Sequence, residues 1–197
     1  MILNNYRVMS YIKDELKDER LSKESLIYLQ SMLTTDTLEN PLEVGRFRKD
    51  SDEIVVQDRA TGILYHIPPT AAVLGREIDA LIRYANDEDD SGFTHPFIKA
   101  VILHFWIGVL HPFCDGNGRT ARAIFYWYLL KRGYWGFSYI PISQMIKNSK
   151  KQYLDAYLYS EQDGNDLTYF LVYIANKTNQ AFAEFKKYVN RKKKEQK

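Results

Sequence analysis

The 197-residue chain is long enough for one domain with its own hydrophobic core, and we expect a single domain over residues 1–197. Apolar residues make up 45% and aromatic residues 14%, a composition that excludes a disordered chain. The net charge of +2 gives no general field that would select a nucleic acid or a membrane surface. The single cysteine, Cys114, excludes an internal disulfide framework and suits a reducing compartment.

Two further features bear on where the protein works. The N-terminus does not resemble a signal peptide, because it has no apolar core followed by small residues. The longest apolar run, 100–110, contains His104 and is far shorter than the roughly 20 residues that span a bilayer. We therefore expect a soluble, cytoplasmic protein with no membrane partner.

Residues 4–34 are predicted to be helical. Apolar residues recur at helical spacing before and after Ser22, which can cap the second of two helices. They are Tyr6, Met9, Ile12 and Leu16 in the first segment, and Leu26, Leu29 and Leu33 in the second. A loop then leads through Pro41 to Arg48.

The next segment is predicted to be the one β-hairpin of the chain. The β-rich runs Ile54–Gln57 and Ile63–Ile67 flank the turn Arg59–Gly62, in which glycine permits a positive φ. An isolated hairpin is weak, so it must lean on the helical body.

A helix is predicted after Thr70, and another from Pro96, capped by Thr94 or His95. Because Pro112 disfavours helical geometry in the residue before it, the second helix should end near Leu110. The apolar face expected for the first comprises Val73, Leu74, Ile78, Leu81 and Ile82. That of the second comprises Ile98, Val101, Ile102, Phe105 and Val109.

The rest of the chain is also predicted to be helical. A helix should run from Asn117 to Arg132, with Gly133 as its left-handed C-terminal residue. Three more are expected at Ser143–Asn148, at Lys150–Ser160 and from Leu167 to about Arg191. The last carries a basic tail, for which a solvated helix end is the expected role.

The turn Asp115–Gly118 has the composition of a phosphate site. Its two glycines permit positive φ and close approach of the backbone to a ligand, and successive N–H groups in such a turn bind anions. The helix that follows adds unpaired N–H groups and the positive end of its dipole. Arg119 and Arg122 in its first turns oppose that dipole and repel each other, a conflict that a polyanion such as a nucleotide triphosphate would remove.

Two side chains beside this turn suggest group transfer. Asp115 would be a poor neighbour for a phosphate unless a cation such as Mg²⁺ lay between them. His111 can accept a proton near neutrality. A base, a metal ligand, an amide cradle and two guanidinium groups are what phosphoryl or nucleotidyl transfer requires.

The segment His111-Pro-Phe-Cys-Asp-Gly-Asn-Gly-Arg119 resembles the signature of Fic (filamentation induced by cAMP) domain proteins, His-Pro-Phe-x-(Asp/Glu)-Gly-Asn-(Gly/Lys)-Arg. The likeness extends to Gly45-x-Phe-Arg48 and to the hairpin. It implies an all-α, Fic-type helical bundle with one β-hairpin flap and a core at about 40–175. Residues 4–34 would be a helical N-terminal part, and 176–197 a basic C-terminal helix and tail.

The resemblance implies a protein adenylyltransferase that moves AMP from Mg-ATP to a Ser, Thr or Tyr hydroxyl of a target protein and releases pyrophosphate. His111 would deprotonate the hydroxyl and Asp115 would bind Mg²⁺. Arg119 and Arg122 would hold the β- and γ-phosphates. Further nucleotide contacts are implied for Gly116, Asn117, Gly118, Thr120 and Ala121, and near the adenine for Tyr153 and Leu154. The flap that positions the target would present Ile63, Leu64, Tyr65 and His66.

An inhibitory segment is also part of the family pattern. Thr35–Asn40 matches the inhibitory string (Ser/Thr)-x-x-x-Glu-(Gly/Asn) literally, with Glu39 in the critical place. Because it lies beside Pro41 in a predicted loop, we do not expect it to inhibit. The prediction is that Glu39→Gly does not markedly improve ATP binding.

Two other functions stay open at this stage. The first is a related enzyme that uses another donor, for UMP or phosphocholine transfer, or that removes AMP. The second is a non-catalytic adaptor or nucleic-acid-binding module with a vestigial site. We do not expect a nucleic acid partner, and the family likeness alone suggests a homodimer.

Overall fold

The computed structural model describes residues 2–57, 62–89 and 92–195. They form two compact units, Met1–Tyr134 and Trp135–Lys197, which are described here in turn. The expected fold class is confirmed, because α-helices dominate both units and the described residues contain one small antiparallel sheet. A single domain over the whole chain stays a prediction.

The first unit begins with two helices. α1 spans Ile2–Tyr11 and continues into a π-helical turn, Ile12–Leu16, and α2 spans Lys23–Thr34. Ser22 caps α2 as predicted, in a reciprocal pair with Ser25. The expected apolar face of α1 is wrong at Tyr6, which is 70% exposed. The polar Asn4 is buried in its place, because its side-chain amide donates to the carbonyl of Thr35 at 2.8 Å.

Three longer helices complete the first unit. α3 spans Leu74–Ala85, α4 spans Pro96–Leu110 and α5 spans Asn117–Lys131. His95 caps α4 by accepting from the Phe97 N–H, as predicted. The prediction of a single buried apolar face on α4 was wrong. This helix is buried on most sides, and Ile98, which was expected to be buried, is its exposed residue. α4 packs chiefly on α5, so the loop that joins them is anchored at both ends.

The hairpin is shorter than the sequence predicted. β1 is Val56–Gln57 and β2 is Leu64–His66, paired antiparallel with Val56 opposite His66 and an irregularity after Val56. Of the predicted turn Arg59–Gly62, residues 59–61 lie outside the described residues, and Gly62 has a positive φ of 69°. Such short pairing contributes little stability of its own, so the hairpin depends on contacts with the helices.

The described part of the second unit has a 3-10 helix, Trp135–Tyr139, followed by three α-helices. α6 spans Ile142–Lys147, α7 spans Lys150–Gln162 and α8 spans Thr168–Glu195. α8 packs on α6 and α7. It is longer than predicted, and its buried residues stop at Ala181, so the basic half is an exposed helix end as expected. No helix among the described residues has the length and hydropathy needed to span a membrane.

Candidate active site

The loop between α4 and α5 begins with a strained histidine. α4 ends at Leu110, as Pro112 predicted, and His111 adopts the left-handed conformation with φ 42° and ψ 60°. This region is unfavourable for a residue with a side chain, so other contacts must hold it there. Phe113 supplies one anchor, because its ring is fully buried and stacks on Phe47 with centroids 5.2 Å apart.

The side chain of Asn117 fixes the shape of the loop. Its Nδ2 donates to the carbonyl of Phe113 at 2.7 Å, and its Oδ1 accepts from the N–H of Phe113 at 2.9 Å. The amide is 4% exposed, so few alternative partners are available. The side chain of Asn117 is therefore committed to the loop, and its contact with a nucleotide stays a prediction.

Gly116 is required by conformation and by packing. Its φ is +84°, and a Cβ there would lie 2.7 Å from Cγ2 of Thr34 on α2. Gln30 on α2 also donates to the carbonyl of Asp115 at 3.1 Å, so α2 forms one wall of the loop. A Cβ at Gly118 would lie 3.3 Å from Nη1 of Arg122, so a larger residue would crowd that guanidinium.

His111 is held in one tautomer. Its Nδ1 lies within hydrogen-bonding distance of the Gly108 carbonyl, and because a carbonyl can only accept, Nδ1 carries the proton and Nε2 is left as an acceptor. Burial lowers the pKa of His111 to about 4, and His66 and Arg48 act in the same direction. The Gly108 carbonyl and Asp115 oppose this. The imidazole is therefore neutral at physiological pH.

Two residues from outside the motif bind the end of α4. His66 Nε2 lies 2.7 Å from the carbonyl of Val109. Arg48 Nε donates to the carbonyl of His111 at 2.6 Å, and its Nη2 donates to that of Leu110 at 3.2 Å. The role of Arg48 could not be predicted from the sequence, which showed only that it stands in a family-like Gly-x-Phe-Arg string.

The N-terminus of α5 presents donors to the loop. The N–H groups of Asn117, Gly118 and Arg119 have no acceptor among the described residues, as expected for a first helical turn. The side chain of Arg122 also makes no hydrogen bond or ion pair with any of the described residues. Unpaired N–H groups at the positive end of a helix dipole bind anions, and a free guanidinium strengthens such a site.

Arg119 is balanced by one neighbour in the motif and by two groups that are distant in sequence. It donates to the Leu33 carbonyl in the last turn of α2 at 2.8 Å and to Thr37 Oγ1, three residues beyond that helix, at 3.0 Å. Its other nitrogen pairs with Asp115 at 3.0 Å. The expected conflict between Arg119 and the helix dipole is therefore relieved in part without a ligand, and Arg122 is the arginine whose charge stays unbalanced.

Asp115 is the one predicted metal ligand. Its side chain is 58% exposed and accepts from the Gly116 N–H and from Arg119. The described residues contain no group of three or more His, Cys, Asp or Glu placed to hold a metal ion. One exposed carboxylate beside a phosphate cradle fits Mg²⁺ that binds together with a nucleotide, because Mg²⁺ commonly combines one or two carboxylates with substrate phosphates.

A cavity of about 450 Å³ joins the loop to the hairpin. His111, Asp115, Asn117 and Gly118 line it, together with Ile54–Gln57 at the start of the hairpin. Cys114 also lines it, and burial and Asp52 raise the pKa of its thiol to about 11, so the thiol is protonated at neutral pH. Glu39 is a further lining residue and lies in the segment 35–40, which is not helical.

The other predicted site residues lie in varied surroundings. Thr120 and Ala121 are fully buried, and the N–H of Thr120 already bonds Gly116, so the structure shows no ligand-facing group on either. Tyr153 and Leu154 lie on α7 in the second unit, where the Tyr153 ring packs on those of Tyr157, Phe170 and Tyr173. Their contact with adenine stays a prediction. Of the flap residues, Ile63 and Leu64 are exposed, while Tyr65 and His66 are half-buried.

The fold and the site define a helical protein in which a helix N-terminus with unpaired N–H groups, a neutral histidine and a short hairpin line one cavity. Comparison with known families identifies this class of protein. The sequence model described as the Fic/DOC family matches residues 20–129, which is more than half of the chain. The chain therefore belongs to the Fic/DOC family.

Curated relatives carry a name that bears on activity. The chain is similar to the "Protein adenylyltransferase Fic" of Nematostella vectensis, with 28% identity over 135 residues that cover 68% of this chain and 29% of the relative. It is 34% identical to the protein of the same name from Drosophila melanogaster over 95 residues, 48% of this chain and 17% of the relative. The chain thus spans less than a third of the length of these relatives.

Solved structures support the fold. A Fic family protein from Desulfovibrio desulfuricans superposes with a TM-score of 0.72 at 20% identity, covering 97% of this chain and 53% of that one. Residues 134–508 of Fic-1 from C. elegans give 0.68 at 19% identity, covering 98% and 52%. At these identities the likeness establishes the fold alone.

Proposed function

We propose that this chain transfers AMP from ATP to a hydroxyl group of a protein and releases pyrophosphate. One observation carries the proposal: an acceptor nitrogen on His111 and the unpaired N-terminus of α5 belong to the same cavity. A transferase needs a proton acceptor and a phosphate cradle within reach of each other. The name of the curated relatives supports this choice of group and acceptor.

In the proposed reaction, the hydroxyl oxygen of the target attacks the α-phosphorus. The bond between the α-phosphorus and the oxygen that bridges to the β-phosphorus breaks, and pyrophosphate leaves. Nε2 of His111 takes the hydroxyl proton, while the Nδ1–H bond to Gly108 keeps the ring in the required tautomer. Mg²⁺ held by Asp115 would supply charge neutralisation at the phosphates.

The phosphates would bind the N-terminus of α5. The N–H groups of Asn117, Gly118 and Arg119 would donate to them, and Arg122 would contribute the unbalanced positive charge. Arg119 would exchange its contacts with Thr37 and Asp115 for phosphate oxygens. Because these donors are preorganised by the loop, they need little rearrangement when charge develops on the phosphates.

The hairpin would position the target segment. β1 and His111 line the same cavity, and a strand edge can pair with an extended peptide through its main chain. Ile63 and Leu64 are exposed beside it, with 54% and 51% of their surfaces accessible, and would contact target side chains.

The test is transfer of label from ATP to protein. We expect mass spectrometry to find an added AMP on this chain or on a protein of the source-cell lysate when ATP and Mg²⁺ are present. His111→Ala should reduce transfer by about 100-fold or more, as for other general bases, and leave ATP binding by calorimetry intact. Arg122→Ala should weaken ATP binding.

A matched control is His95→Ala, which removes an exposed histidine from the opposite end of α4 and should leave transfer unchanged. Parallel reactions with UTP and CDP-choline separate AMP transfer from transfer of another group. The proposal is wrong if no adduct forms although ATP binds, or if His111→Ala transfers AMP at the wild-type rate.

A further inference from the structure

The C-terminal end of α4 has an unusual set of hydrogen bonds. The last carbonyls of a helix lack partners within the helix and usually turn to water or to a glycine-based cap. Here the carbonyls from Gly108 to His111 all accept bonds from side chains. Gly108 accepts from His111, Val109 from His66, and Leu110 and His111 from Arg48.

Arg48 is the centre of this arrangement. Only 8% of its surface is exposed, and its guanidinium reaches the carbonyls of Leu110, His111 and Pro69. Its own N–H donates to the carbonyl of Pro112 at 2.9 Å. Buried cations are costly unless they are paired or hydrogen-bonded. None of these bonded partners is a carboxylate, so the negative end of the α4 dipole contributes to the compensation, and the nearby carboxylates of Asp50 and Asp52 act in the same direction.

The hydrogen bonds of Arg48 lie on both sides of the strained residue, His111. His111 is a left-handed residue with a bulky side chain, a conformation that costs roughly 1–2 kcal/mol. Arg48 donates to the carbonyl of Leu110, to that of His111 and to that of Pro112. Three bonds at consecutive residues determine the backbone there, and the backbone determines where the imidazole points.

Arg48 also connects this backbone to the hairpin. Its Nη2 donates to the carbonyl of Pro69, three residues after β2 ends, and His66 within β2 bonds Val109. A lysine could not reproduce this, because it has one nitrogen in place of a planar fork with five donors. We propose that Arg48 is a positioning residue that holds His111 in its left-handed, Nδ1-protonated state and fixes the base of the hairpin to the same helix end.

The proposal rests on the proposed function only where it concerns the rate of transfer. Its first test is independent of activity. The chain has four histidines, so ¹⁵N-histidine spectra can be assigned by single substitutions. In the wild type His111 should be the Nδ1–H tautomer and His66 the Nε2–H tautomer, because each donates to a carbonyl through that nitrogen.

Two variants test Arg48 directly. Arg48→Gln removes the charge and three of the five N–H donors, and Arg48→Lys keeps the charge without the fork. We expect both to give His111 mixed or exchange-broadened tautomers while the buried His104 is unchanged. The matched control is Arg46→Gln, because Arg46 lies two residues away and pairs with Asp52 at 2.7 Å without bonding the end of α4.

Kinetics give the second readout. The kcat for AMP transfer should fall by about 10- to 100-fold in Arg48→Lys, as expected when a reacting group is displaced by about 1 Å, while Kd for ATP changes by less than about threefold. If the tautomer of His111 and kcat are both unchanged in Arg48→Lys, the inference is overturned. If the wild type transfers no AMP, the proposed function fails, and the tautomer of His111 alone decides the role of Arg48.

Discussion

The loop between α4 and α5 and the hairpin line the same cavity but are held in opposite ways. In the loop, Phe113 is fully buried, Asn117 bonds its main chain on both sides, and Gly116 fits against α2 with no room for a methyl group. The hairpin has strands of two and three residues with an irregular register, and both Ile63 and Leu64 are exposed.

This difference matches the tasks that we propose for the two regions. A proton acceptor and phosphate donors must be placed within fractions of an ångström, which favours a loop determined by buried contacts. A target-binding edge must accept a peptide in an extended form and gains from adaptability. Four predictions test the contrast, beginning with the largest expected effect.

Asn117→Ala should remove the two hydrogen bonds that fix the shape of the loop. It leaves the N–H and the carbonyl of Phe113 without partners in a buried site, which should lower the free energy of unfolding by about 2–4 kcal/mol. Urea denaturation measures the loss. Asn40→Ala, which removes an exposed asparagine that bonds the Leu42 N–H, is the control and should cost about 1 kcal/mol or less. Equal losses would mean that the hydrogen bonds of Asn117 stabilise the loop no more than an exposed asparagine stabilises the surface.

Gly116→Ala should cost about 1–3 kcal/mol through two separable effects. The positive φ is unfavourable for alanine, and its Cβ would lie 2.7 Å from Cγ2 of Thr34. Thr34→Ser removes that methyl group, so the double variant should recover the steric part and keep the conformational part. A double-mutant cycle in urea measures the coupling. Additive effects would show that α2 does not press on the loop.

The pH dependence of stability should report the buried histidines. Burial lowers the pKa of His104 to about 3 and that of His111 to about 4, whereas an unfolded histidine titrates near about 6.5. Below that pH the unfolded chain binds protons that the folded chain does not, so stability falls as pH falls. Each histidine can contribute up to about 1.4 kcal/mol per pH unit.

Urea titrations from pH 7 to pH 5 measure that slope. His104→Gln should reduce it, because one buried histidine no longer differs between the two states. His95→Gln alters an exposed residue and is the control that should leave the slope alone. An unchanged slope in His104→Gln would contradict the low pKa of His104.

The sequence predicted features that depend on neighbouring residues. Ser22 caps α2, Pro112 ends α4 at Leu110, and Gly133 has the left-handed φ of 81° that its place after α5 required. Each follows from a rule that acts over a few residues. The turn at Asp115–Gly118 was also predicted from neighbouring residues. In the structure Gly116 precedes a helix whose first N–H groups are unpaired.

Features that depend on distant residues escaped prediction. The carbonyl partners of the Arg48 side chain lie 21, 62 and 63 positions away, and those of Asn4 about 30, so no spacing rule could reveal them. The contacts of Arg119 with Leu33 and Thr37, 86 and 82 positions away, were missed for the same reason. α4 was assigned one apolar face because its neighbours on the other sides are known only after folding.

Leu64→Ala should have the smallest effect of the four on stability. The side chain is 51% exposed and lies in a strand of three residues, so its removal should change the free energy of unfolding by less than about 0.5 kcal/mol. Phe113→Ala, in the loop across the cavity, should cost about 3–5 kcal/mol because that ring is fully buried. Parallel urea titrations compare the two. A loss above about 1.5 kcal/mol for Leu64→Ala would mean that the hairpin is packed as firmly as the loop, and that the adaptability proposed for target binding must lie elsewhere.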